Sequence, residues 1–245
     1  MVKKITLVRQ ETEVHQPDVL EHLQHRRVAK TSSGPQRRIS HMIILYRNTA
    51  SPNIQKIALM LAETRLPYVA QSVDREPDGA FVGSFRAINP NATVPAILDQ
   101  DNGVSVFESG AILYYLAEKS GQFLPKEIKA RTEVMKWLMF EVANVGPVMG
   151  ELYHGLLMDS PAFTDHLLPR YRDKLSRFCS LLDEQLKGQR YLCGDYSIAD
   201  IALYPWCGIL GDIADIDLHD YAHLHRWATD INMHPATQLI NTTKL

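Results

Sequence analysis

The chain has 245 residues, 45% of them hydrophobic and 22% charged, with a formal net charge of −2. That length allows one large core or two small ones, and so balanced a charge offers no electrostatic footprint for nucleic acid. No apolar run is long enough to cross a bilayer, so no membrane partner is expected.

Residues 1–41 mix charges, histidines and Gln around the breaker cluster Thr31-Ser32-Ser33-Gly34-Pro35. They carry no sustained apolar period after Val8 and fit neither a secretory signal nor a transit peptide. They read as a poorly ordered extension, with globular sequence starting at Met42, itself a candidate first residue. Ile43-Ile44-Leu45-Tyr46 is a short buried-type strand. Ser51-Pro52 is a helix start, with a capping side chain followed by Pro at the first helical position. Ile54, Ile57, Ala58 and Leu61 supply that helix's apolar stripe, and Leu66-Pro67 closes it. Tyr68 to Val73 resumes as a strand, completing a βαβ unit with parallel strands. After a connection over 75–92, Val94-Pro95-Ala96-Ile97-Leu98 and Val104 to Phe107 form a hairpin about Asp101-Asn102-Gly103. A helix over 109–118 follows, ending before Gly121. Together these segments predict a four-stranded mixed sheet with helices on its faces, the thioredoxin-like arrangement. Beyond Pro125 strand signals stop, and helices are expected over 126–158, 163–187, 198–211 and 221–232. The fold class is therefore an α/β thioredoxin-like domain (βαβ-ββα) at 42–124 followed by an all-α domain at 125–245.

Cys179, Cys193 and Cys207 are odd in number and form no Cys-x-x-Cys unit. They read as packed free thiols in a reducing compartment, which points to a cytoplasmic protein. His223 and His225 lack nearby partners, so no metal is expected.

Four segments could carry chemistry or plain structure. Val94-Pro95 opens a strand. A cis bond there would turn backbone groups outward to pair with an extended peptide; a trans bond would simply enter an edge strand. At Phe107-Glu108-Ser109-Gly110 a helix N-terminus and the Ser109 hydroxyl suit a carboxylate, and Glu108 suits an ammonium group; alternatively Ser109 caps its own helix. Around Thr49-Ala50-Ser51-Pro52-Asn53 a hydroxyl and an amide could stabilise a thiolate, or Ser51 could serve only as a cap. Ser197-Ile198-Ala199-Asp200 is a capping box with a structural role, expected to be worth about 1 kcal/mol.

The segments Ile88 to Asp99, Phe107 to Leu113 and Tyr191 to Ala202, in this order and spacing, resemble the cytosolic glutathione transferase family from Met42 to near the C-terminus. Ser51-Pro52-Asn53, Trp137-Leu138-Met139-Phe140-Glu141 and Val145 to Gly150 are similar to the bacterial Nu class and the related fungal nitrogen-regulator branch. The resemblance implies an enzyme using glutathione as co-substrate, without metal, acting on a small electrophile, peroxide or disulfide, and working as a homodimer. It further implies that Glu108 and Ser109 hold the γ-glutamyl end and that Val94 and Pro95 pair with the cysteinyl backbone. Asn53 and Ser51 would stabilise the thiolate. Trp137, Phe140, Met149 and Tyr153 would line the second-substrate pocket, unless they are ordinary helix core. Thr93 stands where this pattern often has Lys, Ser51 replaces Thr, and Ile54 takes a position often held by Gly. Neither Tyr nor Cys occupies the thiol-activating position. The competing expectation is a non-catalytic binding or regulatory protein on the same fold.

Overall fold

The computed structural model describes residues 42–48, 51–73, 83–158, 161 and 163–242. The expected extension at 1–41 therefore lies outside the described residues. Strand β1 (Ile43–Arg47) pairs in parallel with β2 (Tyr68–Ser72) and antiparallel with β3 (Ala96–Asp99), which pairs antiparallel with β4 (Val104–Phe107). The sheet order is β2-β1-β3-β4. The hairpin between β3 and β4 closes as its sequence demands. Gly103 takes φ 74°, and its N–H donates to the Asp99 carbonyl at 2.8 Å. The buried Asp99 carboxylate accepts from the Tyr115 hydroxyl at 2.5 Å and pairs with Lys119 at 2.7 Å.

Helix α1 (Pro52–Thr64) starts on Ser51, whose Oγ accepts from the Ile54 N–H at 3.3 Å, and ends at Arg65 in a left-handed conformation. Its stripe faces the core, yet Lys56, Leu59 and Met60 are buried too. The cover on that other side includes α6 (Ile198–Cys207), a helix from the far end of the chain. Helix α2 (Ser109–Ser120) ends on Gly121 at φ 68°.

The stretch expected as one helix over 126–158 is α3 (Ile128–Phe140), a π turn (Glu141–Val145) and α4 (Gly146–Leu157). Pro147 lacks an N–H and cannot continue the regular ladder, and the turn widens just before it. A second π turn (Phe163–Leu167) precedes α5 (Leu168–Gln185), where Pro169 plays the same part. Two helices were not expected, α7 (Leu210–Ala214) and α9 (Pro235–Thr242); α8 (Ala222–Asn232) was.

The capping box of α6 forms, with the Ser197 N–H donating to Asp200 at 3.0 Å. Asp200 also accepts from the Leu192 N–H at 3.0 Å and from Trp227 Nε1 at 2.8 Å. This carboxylate therefore ties α6, α8 and the 191–195 turn together and does more than cap one helix. Among the described residues, no helix is long and apolar enough to cross a membrane.

Candidate active site

The register places Tyr46, Ala96 and Phe107 in one row across the sheet. The chain leaving this row leads to every segment expected to carry chemistry: past β1 to Ser51 and Asn53, before β3 at Val94-Pro95, and after β4 to Glu108 and Ser109. The Val94-Pro95 bond is cis. Val94, Phe107 and Tyr46 pack on one small apolar cluster centred on Phe85 and Ala96. The loop before Val94 is built by Asn89, a buried residue that sequence reasoning passed over. Its Nδ2 donates to the Thr93 carbonyl at 2.7 Å, and its Oδ1 accepts from the Asn91 N–H at 2.9 Å. Thr93 spends its hydroxyl in the same loop, accepting from Asn89 at 3.2 Å.

Glu108 sits at the N-cap of α2 with φ 66° and ψ 121°, and its side chain makes no capping bond. Such a backbone is disfavoured for any residue with a Cβ and persists only where the surroundings enforce it. The alternative in which Ser109 caps its own helix is not what the structure adopts. With no side-chain cap, the first N–H groups of α2 and the positive end of its dipole remain open to an anion.

The Ser109 hydroxyl turns instead to Asn53, donating to its Oδ1 at 3.3 Å. The same Oδ1 accepts from Lys56 Nζ at 2.7 Å. Lys56 and Glu141 are each 1% exposed and meet at 2.6 Å. Glu141 Oε1 also accepts from Trp206 Nε1 at 2.8 Å, and Lys56 Nζ lies 5.0 Å from the Trp206 ring centroid. Burial lowers the Lys56 pKa from its ordinary value, while the charge and hydrogen bond of Glu141 pull it back up. Gly146 makes room for this carboxylate, since a Cβ there would come within 3.0 Å of Glu141 Oε1. Neither Lys56 nor Glu141 was singled out from sequence. The available signal was a lone charge in each of two apolar stretches, Ile54 to Leu61 and Trp137 to Val142.

Ser51 lies at the same helix start; its Oγ accepts from Ile54 as the cap of α1, which leaves the hydroxyl proton able to donate. Tyr46 packs its ring 5.5 Å from that of Phe85, and burial raises its pKa. Cys179 and Cys193 are pushed by burial up to about 12, and Cys207 higher still, so none is a ready thiolate.

The four residues named for the second-substrate wall do not share one surface. A cavity of about 430 Å³ beside Glu108 is lined by Gly110, Ala111, Tyr114 and, from α3 and the π turn, Met135, Leu138, Met139 and Val142. Those last four recur at helical spacing on the face toward α2. Trp137 and Phe140 lie on another face, edge-on to each other at 5.5 Å, with Phe140 against Phe178 of α5. Met149 is fully buried and belongs to the core, with no surface for a ligand. Tyr153 is exposed, with its ring against His154. Among the described residues, no group of three or more His, Cys, Asp or Glu could hold a metal.

Residues 50–119 match the family model for the glutathione S-transferase N-terminal domain, and residues 165–230 match that for its C-terminal domain. The chain is similar to two Escherichia coli disulfide-bond oxidoreductases. It is 34% identical to YghU over 83% of this chain and 76% of that one, and 39% identical to YfcG over 80% and 93%. A solved glutathione transferase from Pseudomonas putida, with one glutathione disulfide bound per subunit, superposes with a TM-score of 0.72 at 31% identity over 84% of this chain and 92% of that one. The chain belongs to the glutathione S-transferase family.

Proposed function

We propose that this protein binds glutathione across the end of the sheet and ionises its thiol for attack on a small disulfide or electrophile. The γ-glutamyl carboxylate docks on the open N-terminus of α2 and takes the Ser109 hydroxyl proton over from Asn53, which leaves Lys56 on the amide oxygen; its ammonium group meets Glu108, and the cysteinyl backbone pairs alongside Val94-Pro95. The observation that carries the reading is Asn53. Both donors beside it hold its Oδ1, leaving the Nδ2 hydrogens to stabilise a thiolate. A thiol held ionised and oriented needs no covalent enzyme intermediate.

In the disulfide reaction, the glutathione thiolate attacks one sulfur of R–S–S–R′, forming a mixed disulfide and releasing R′S⁻. A second glutathione thiolate attacks the glutathione sulfur of the mixed disulfide, giving glutathione disulfide and RS⁻, and the released thiolates take up protons. Oxidoreductase names among the similar proteins and the glutathione disulfide bound by the P. putida transferase favour this reaction over transfer to an electrophile. The exposed apolar side chains Tyr114, Met139 and Val142 beside Glu108 suit a subunit contact, in a homodimer.

The test is turnover with reduced glutathione against a small mixed disulfide and, in parallel, a chloronitrobenzene, using wild type and Asn53→Ala. The variant is expected to keep glutathione binding, to lose most turnover, and to return the bound thiol toward an ordinary cysteine pKa of about 8.5. An unchanged thiol pKa in Asn53→Ala would remove the role from this residue. Glutathione binding without turnover of either substrate would favour a regulatory protein.

A further inference from the structure

An amide side chain beside a thiolate is useful in one orientation only. With Nδ2 toward the sulfur it donates to the anion; flipped, it presents a carbonyl oxygen to a negative charge. Something must therefore fix the flip. Lys56 has donors and no acceptor, so the atom that it meets at 2.7 Å is the oxygen of Asn53. Ser109 donates to that same oxygen. Lys56 is in turn fixed. It lies in a fully buried slot, its ammonium bonded to Glu141 at 2.6 Å and set over the Trp206 ring, while Trp206 Nε1 holds the same Glu141 oxygen. Among the described residues Asn53 Nδ2 donates to no acceptor, so within them the arrangement ends in an amide nitrogen able to donate.

We infer that Lys56 is a positioning residue for thiol activation, and that Glu141 of the π turn and Trp206 of α6 hold it so that the Asn53 amide keeps its nitrogen toward the glutathione sulfur. The inference rests on the assignment of Asn53 made above. It makes a turn of the helical half part of the thiol site without any contact with glutathione. The charged groups concerned are Lys56 on α1 and Glu141 on the π turn.

The experiment compares wild type, Asn53→Ala, Lys56→Met and the double variant Asn53→Ala/Lys56→Met. Two quantities are read: the pKa of bound glutathione, from its ultraviolet thiolate absorbance against pH, and kcat/KM with a mixed disulfide. Lys56→Met is expected to raise the bound thiol's pKa by about one unit and to lower kcat/KM about tenfold at neutral pH. That deficit should close as pH rises, and the KM for glutathione should change far less. In the Asn53→Ala background, Lys56→Met should do nothing further, because its action passes through the amide. An equal shift in both backgrounds, or none in folded Lys56→Met, overturns the inference. No shift in Asn53→Ala itself overturns the role of Asn53 and this inference with it. Should Lys56→Met fail to fold because Glu141 is left buried and unpaired, Lys56→Met/Glu141→Met removes both charges and supports the same comparison.

Discussion

Two of the buried carboxylates, Asp200 and Glu141, tie the helical half together, and they are finished to different degrees. Asp200 accepts from the Leu192 N–H, Trp227 Nε1, and both the N–H and the hydroxyl of Ser197. Both of its oxygens are engaged, by neutral donors drawn from three parts of the helical half. Among the described residues Glu141 accepts from Lys56 and Trp206 through Oε1 alone, and its buried Oε2 has no hydrogen-bond partner. The chain of contacts leaving Glu141 runs outward through Lys56 to the Asn53 amide, whose Nδ2 meets no acceptor among the described residues. A saturated node holds a fold together; an open-ended one has capacity left for something that arrives later.

Three measurements break or sharpen this contrast. The largest effect is expected from Asp200→Ala. It strips at least two buried donors of their acceptor at roughly 1–3 kcal/mol each, a loss of about 3–5 kcal/mol in urea unfolding. Molecules that remain folded should show an unchanged thiol pKa for bound glutathione; a raised value would mean that the two nodes are coupled. Ser51→Ala comes next. It removes the α1 cap and should cost about 1 kcal/mol, with the bound thiol's pKa moving far less than in Asn53→Ala. An equal shift in that pKa would return Ser51 to the thiol site.

The effect smallest at neutral pH, because it is confined to alkaline solution, concerns the protein's own thiols. Cys193 is pushed up to about 12 by burial first and then by Asp200 and Glu133, and Cys179 also to about 12 by burial. Their folded values lie above the unfolded value of about 8.5, so their contribution to stability is complete below that pH and is lost as pH climbs from there toward 12. Urea midpoints should therefore fall steadily over that alkaline range, and more shallowly in a Cys179→Ala/Cys193→Ala variant. An identical slope in the two proteins would assign the loss to other groups.

Much of the α/β half could be read from local chemistry. Ser51-Pro52 starts a helix, Asp101-Asn102-Gly103 makes a turn, and Gly121 ends a helix, because each acts within a few residues. The proposed contributors Glu108, Ser109, Val94 and Asn53 were legible as candidates because they stand at strand ends and helix starts. Lys56 was missed for a physical reason. A helical stripe specifies one face, whereas the burial of the opposite face of α1 is created by α6, more than a hundred residues further on. The π turn was missed because a continuous apolar period reads as one straight helix, although Pro147 carried the information that the ladder must break. For Met149 the sequence left pocket wall and helix core open, because the two look alike in a periodic apolar stretch, and the structure buries it.

The pair between Lys56 and Glu141 also bears on how such a chain can be recombined. One charge is encoded in the sheet half and the other in the helical half, so neither half is a self-contained module. A chimera that exchanged the helical half would have to bring an acid at the same step of its π turn, a small residue at position 146, and an indole to hold that acid. Without them it would inherit a buried ammonium with no counter-ion, a cost that an unrelated helical half does not offset.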